Sequence, residues 1–323
     1  MKTPVLFETF ARPMYARQVF EQLKKIKPTK LYFYSNKARN DRPDELKNNE
    51  EIRSWVKEID WDCELHTFFR DEYVEIYPSL QGAIDWVFQH EEKAIILEDD
   101  CVPSLAFFEF VDKYIDVYQH NQEIAFITGD NYLKNLNYQN ADHFITTTFF
   151  MFGWATWRDR WQSTNFSYDI DKFLANQYLK NYFPDKLRTQ FWSAYYLNIK
   201  EFLIRTHCWD YMFGINCIAK KQYGIAPVQH LVQNVGLIGS HANGKKNKSN
   251  IECVPLDSHY KFTGKLLATT PYDEYDLKLF KEFFGLTSTA KIKRLIKNIV
   301  KAFLGNTFYN KLKNIKNQIH ISK

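Results

Sequence analysis

Short apolar runs alternate with segments of helical period along the first 130 positions of the chain. Residues 4–10, 31–34, 63–69, 94–97 and 124–128 read as strands. Residues 15–26, 48–59, 80–88 and 103–118 read as helices, the first carrying Val19, Phe20, Leu23 and Ile26 on one stripe. Strand–helix units of this length predict an α/β protein with a mostly parallel, Rossmann-like sheet, right-handed crossovers and helices on its faces. The unbroken run Ala94-Ile95-Ile96-Leu97 marks a strand buried on both sides.

After Gly129-Asp130-Asn131 the rhythm changes. A strand is expected at 144–150, a turn at 153–158, a largely helical, aromatic-rich stretch at 169–206, a helix at 209–218 and a strand at 224–228. Residues 236–250, with Gly, Ser, Asn and Lys and few apolar positions, read as a mobile loop. This divides the chain into a domain over 1–250, with halves 1–130 and 131–250, and an extension over 251–323. In the extension Leu295, Ile296, Ile299, Val300 and Phe303 form an apolar helical stripe opposed by lysines, as in a helix lying in a membrane interface. A helix docked on its own domain with a solvated basic face has the same pattern.

Composition narrows the class. Aromatic residues make up 17% of the chain, with 27 Phe, 20 Tyr and 8 Trp, which excludes a disordered protein. The five cysteines are scattered and form no CxxC pair, so neither a disulfide framework nor a zinc ribbon is expected. Residues 285–323 hold nine of the 43 Lys and Arg and none of the 38 Asp and Glu, so the net charge of +5 comes from the tail. An anionic membrane surface is the partner this favours, and nucleic acid is not expected, since no binding motif accompanies the charge. No secretory h-region follows Met1 and no segment reaches the about 20 apolar residues of a membrane span. The expected location is the cytoplasm, peripheral on the inner face of the membrane.

Candidate chemistry starts at Glu98-Asp99-Asp100, which ends the buried strand where α/β sheets bind ligands. Strand alternation would send Glu98 and Asp100 one way and Asp99 the other, so that one pair could hold a divalent cation or a polyol. The plainer alternative is that Asp99 or Asp100 caps a helix opened by Pro103. Asp210 has the same two readings, catalytic base or helix cap. Trp157 and Trp161 are spaced as a core stripe, and Arg158 could grip a phosphate or form a surface ion pair.

Taken together, Glu98-Asp99-Asp100 with Phe107-Phe108, then Thr128-Gly129-Asp130-Asn131, Gly153-Trp154-Ala155-Thr156-Trp157-Arg158, and Trp209-Asp210 resemble bacterial nucleotide-diphospho-sugar transferases of the GT-A fold. This group includes haemolysin-like sugar transferases and is more distantly similar to the N-acetylglucosaminyltransferases that start complex N-glycans. The resemblance spans residues 3–245. It implies a nucleotide-sugar donor, a glycan or lipid-linked glycan acceptor, and Mn²⁺ or Mg²⁺ on the donor diphosphate held by Asp100. It places Thr9, Arg12, Arg70, Glu98 and Asp99 around the donor, with Glu98 toward the ribose and Asp99 supporting the turn. Gly153 and Trp154 would meet the acceptor, and Asp210 would be the base of an inverting reaction. His241, in the loop, could complete the metal shell. The chain departs from the family pattern at Ala11-Arg12-Pro13, Ser35-Asn36 and Tyr73-Val74-Glu75, where the nucleotide base would bind. Competing readings are a sugar-1-phosphate nucleotidyltransferase, which needs a glycine-rich phosphate loop absent from residues 9–13, and a non-catalytic, membrane-associated binding protein.

Overall fold

The computed structural model describes residues 1–133, 136–236, 238–239, 242–243, 250–259 and 262–284. His241 and the basic tail lie outside the described residues.

The first half alternates as anticipated: β1 (Val5–Thr9), α1 (Pro13–Ile26), β2 (Lys30–Ser35), α2 (Pro43–Ser54), β3 (Glu64–Phe69), α3 (Ile76–His90) and β4 (Lys93–Glu98). There follow β5 (Cys101–Pro103), α4 (Leu105–Val117), β6 (Ile124–Thr128), β7 (His143–Thr146), β8 (Trp154–Trp157), α5 (Arg158–Gln162), α6 (Ile170–Ala175), α7 (Tyr178–Tyr182), α8 (Lys186–Thr206), α9 (Trp209–Lys220), β9 (Tyr223–Pro227) and β10 (Val232–Asn234). The two-residue strands β11 (Ile238–Gly239) and β12 (Ala242–Asn243) pair with each other, and α10 (Asp273–Phe283) ends the described part. Eight strands form one sheet in the order β3-β2-β1-β4-β8-β6-β9-β7. The architecture is mixed α/β, a large central sheet flanked by helices.

Four elements differ from expectation. α2 begins at Pro43 rather than at residue 48, because proline at the first helical position and Asp44 and Glu45 in the first turn suit a helix start, although its face is mostly polar. Pro103 does not open α4. It lies in β5, which pairs antiparallel with β10, so Cys101 stands opposite Asn234. β7 stops at Thr146 because Thr147 and Thr148 turn to bond Asp276. The largest difference is residues 153–158, expected to turn: Trp154–Trp157 is a central strand, antiparallel to both β4 and β6. The sheet is therefore less parallel than expected, with β8 and β7 running against their neighbours.

Alternation along the central strands feeds two cores. Val5, Phe7, Ile95 and Leu97 join Trp157 and the apolar faces of α1 and α4. Leu6, Ala94 and Ile96 join Trp154 and residues of α3 and α9 on the other side. A third core lies among α6 to α9, and Tyr275 and Leu279 of α10 pack with Phe144 in a fourth. Residues 251–284 thus do not stand apart where they are described: the Leu256 carbonyl accepts the Leu105 N–H at 2.8 Å.

A buried polar knot joins α4, β7 and the segment before α10. The Asp142 carboxylate accepts from Tyr114 Oη at 2.7 Å, Thr263 Oγ1 at 3.0 Å and the Gly264 N–H at 2.7 Å, and lies 2.6 Å from His143 Nδ1. His143 Nε2 lies 2.7 Å from Tyr118 Oη. Burial lowers the His143 pKa despite Asp142. Asp142 also sits below its ordinary value: burial opposes this, but the donors from Tyr114, His143, Gly264 and Thr263 outweigh it. Both groups therefore bind fewer protons folded than unfolded, so their contribution is present at neutral pH and is lost as pH falls through the histidine and then the carboxylate range. Asp142→Asn is expected to cost about 2 kcal/mol at pH 7 and to flatten the acid side of the stability profile. Urea melts of both proteins between pH 7 and pH 4 would check this, an unchanged profile counting against it.

Candidate functional site

β4 leaves the sheet at Glu98, and Asp99 and Asp100 form the turn into β5. Glu98 stands in register with Glu8 of β1, so two carboxyl groups lie side by side on the same face of the sheet. Glu8 is buried, and neither of its carboxyl oxygens has a hydrogen-bond partner. Burial, then Glu98 and Asp99, push its pKa well up. Burial, then Asp100 and Asp99, push Glu98 up to about 8, with Arg12 opposing and Asp210 adding to the rise.

Asp99 points the other way, to the start of α1. Arg12 donates to both of its carboxylate oxygens, the Nε bond being 3.4 Å. Asp100 does not follow the strand alternation that would pair it with Glu98. The strand has ended, and the turn brings Asp100 Oδ2 to 2.9 Å from the same guanidinium. Burial raises Asp99 to about 6, with Arg12 pulling it back. Arg12 is itself held firmly charged, since Asp99 and Asp100 outweigh its burial. Neither aspartate caps α4, whose start is preceded by Ser104.

The backbone around Asp100 is closely fitted. The Val235 N–H donates to the Asp100 carbonyl at 2.8 Å, and a side chain at Gly236 would collide with Asp100 Oδ2. Asn250 Nδ2 donates to the carbonyl and to Oδ1 of Asn234, each at 2.9 Å, which draws the two ends of the 236–250 segment together beside the acidic turn. Gly153 has φ +84°, and an added Cβ would meet Val232 at 2.8 Å. Its role is to let β10 lie close against the sheet.

Asp210 reaches the same place from a remote part of the chain. It is the second residue of α9, after Trp209, and Cys208 holds the cap position. Its Oδ1 accepts the Tyr211 N–H at 2.8 Å and Cys208 Sγ–H at 2.7 Å. Trp209 stacks on Trp154 with centroids 5.5 Å apart and planes 13° apart, and Trp161 packs beside both. Trp154 is 1% exposed, so it cannot offer a face to a sugar. That expectation is corrected: tryptophan in a central strand is core, and Trp154 supports the helix start that carries Asp210. A cavity of about 330 Å³ has Glu98 and Asp210 in its wall, together with residues 147–152 and aromatic side chains of α8 and α10.

The other anticipated contacts serve the frame. Thr9 is buried and donates to the Tyr34 carbonyl at 2.9 Å. Arg70 donates to Tyr34 Oη at 2.5 Å and lies over the Phe68 ring at 5.0 Å. Arg158 Nε donates to the Glu91 carbonyl at 2.9 Å. Among the described residues no three His, Cys, Asp or Glu side chains converge as a metal cage. Glu8 and Arg188, discussed below, are absent from the sequence-derived site. The available signal was a carboxylate ending the apolar run of β1, the pattern that also drew attention to Glu98.

No family model matches the chain, and no curated protein matches it. Among solved structures it is similar to HddC from Yersinia pseudotuberculosis, at 12% identity over 40% of this chain and 57% of that one, with a TM-score of 0.28. It is also similar to apo UDP-glucose pyrophosphorylase, at 10% identity over 70% and 90% of the two chains, with a TM-score of 0.34. The chain thus spans little more than half the length of HddC. Overlap of this extent assigns neither family nor activity.

Proposed function

We propose that the chain is a metal-dependent, inverting glycosyltransferase of the GT-A type, moving a sugar from a nucleoside diphosphate to a hydroxyl of a surface glycan. The observation that carries this reading is the meeting of Glu98 and Asp210, 112 positions apart in sequence, in the wall of one cavity at the carboxyl edge of β4. A donor site and an acceptor site need to share such a boundary. Asp210 takes the proton from the attacking hydroxyl, and position rather than basicity decides whether it can. Glu98 hydrogen-bonds the donor between the two.

The acidic turn fits a divalent ion. Glu8, Glu98, Asp99 and Asp100 lie at the ends of adjacent strands without converging on one point, neither carboxyl oxygen of Glu8 has a hydrogen-bond partner, and burial together with mutual repulsion raises Glu8, Glu98 and Asp99. Asp100 would hold Mn²⁺ or Mg²⁺, one carboxylate sufficing when phosphate and water complete the shell. Such an ion would neutralise charge on the departing diphosphate. Arg12 keeps Asp99 and Asp100 in place while the site is open.

Nucleotidyl transfer would use the same metal acids. Residues 9–13 contain no glycine to cradle a triphosphate, which favours glycosyl transfer. The basic tail supports contact with an anionic membrane beside a lipid-linked acceptor. Among the described residues no helix is long and apolar enough to cross a membrane.

With Mn²⁺ present, one nucleoside diphosphate is expected to raise the melting temperature by a few degrees, since ligand at about 100 Kd adds about 2.7 kcal/mol. Asp100→Ala should abolish that shift and Asp210→Asn should keep it. In transfer assays Asp210→Asn should reduce kcat by about 10²–10⁴-fold. Release of pyrophosphate from a nucleoside triphosphate and a sugar 1-phosphate would instead identify a nucleotidyltransferase, full activity in both variants would remove the roles given to Asp100 and Asp210, and no turnover of either substrate class by the native chain would sink both enzyme readings.

A further inference from the structure

The cavity beside Asp210 contains a cation whose bonding is incomplete. Arg188 of α8 has a side chain only 2% exposed. Its Nε and Nη2 donate to Asp185 and Asp273, which precede and open α8 and α10 respectively, while Nη1 has no hydrogen-bond partner although the side chain lines the cavity. A buried N–H without a partner is destabilising. An oxygen acceptor brought in by a ligand removes that cost.

The ligand's charge follows from the neighbours. The guanidinium is already matched by Asp185 and Asp273, and Asp276, Glu98 and Asp210 also line the cavity. An anion would find the guanidinium already paired twice and Asp210 in the same wall, so the oxygen that Nη1 takes belongs to a neutral group.

The remaining wall is amphipathic. Tyr195 and Tyr211 hydroxyls share one hydrogen bond of 2.7 Å, which leaves the pair a proton to donate. Thr147 and Thr148 give their hydroxyl protons to Asp276, at 2.8 and 3.2 Å, and keep lone pairs as acceptors. Trp192 and the rings of α10 supply flat apolar area. Hydroxyls at the edge and C–H groups on the face are what a pyranose presents.

We infer that this cavity is a binding site for a neutral sugar ring, hydrogen-bonded to Arg188 Nη1 and packed against Trp192. Its volume of about 330 Å³ suits a terminal sugar rather than a long glycan segment. That the sugar is the acceptor rests on the transferase reading; the binding site does not.

The test titrates the full chain with methyl glycosides of neutral hexoses and N-acetylhexosamines, and with the methyl glycoside of a hexuronic acid, by tryptophan fluorescence and saturation-transfer NMR. Trp192→Ala removes the apolar wall. Arg188→Lys keeps a charge opposite Asp185 and Asp273 without the planar fork, and melting curves establish that each variant is folded. At least one neutral glycoside should bind, at least tenfold more tightly than the hexuronide, and both folded variants should weaken it at least tenfold. The assignment is overturned if no neutral glycoside binds the native chain, if the hexuronide binds more tightly, or if both folded variants bind as the native chain does. Neutral binding without transfer from any nucleotide sugar would uphold the site and remove the transferase reading. Transfer without such binding would remove the site alone.

Discussion

The pairing of Arg12 with Asp99 and Asp100 is the interaction on which the functional end of the molecule depends. β4 delivers three acids in succession to the edge of the sheet, beside the buried Glu8 of β1. Left together, these groups would repel one another in a poorly solvated turn. One guanidinium, held by the start of α1, binds the two aspartates and lets the chain turn back into β5. A guanidinium suits this task because its planar fork serves two carboxylates at once. Glu8 and Glu98 form no such ion pair, and burial first, then the neighbouring acids, raises both.

From that turn the structure reaches outward through contacts between distant segments. β5 recruits β10, which brings Gly236 against Asp100. Gly153 makes room for β10 and leads into β8, whose Trp154 supports Trp209 and so the first turn of α9 with Asp210. Arg188 then ties α8 to α10, closing the far wall of the cavity with residues from beyond position 270. The acidic turn, Asp210 and the cavity are thus linked by packing among strands and aromatic rings. Each link is short in space and long in sequence.

What could be read locally was read well. β1, β2 and β4 with α1, α3 and most of α4 follow their hydrophobic periods, because each buries an apolar face set by its own repeat, whereas the mostly polar α2 does not. Trp209-Asp210 opens a helix where the sequence placed one. Four-residue β8 escaped because a strand that short, with a glycine before it, has the local chemistry of a turn, and only β4 and β6 on either side make it a strand. Trp154 illustrates the same limit. A tryptophan in a ligand wall and one in a core look alike until burial is known.

The acids themselves, their place at the end of a buried strand and the helix start at Trp209-Asp210 were legible in the order of residues, since strand period and helix starts are local properties. Three-dimensional packing alone decided that Asp100 turns to Arg12 rather than to Glu98, that Glu8 stands beside Glu98, and that Asp210 shares a cavity wall with Glu98. It also decided that Arg188 is buried with one nitrogen unsatisfied. These outcomes depend on desolvation and on which charges come within a few ångströms, quantities that arise only when segments far apart in the chain are brought together.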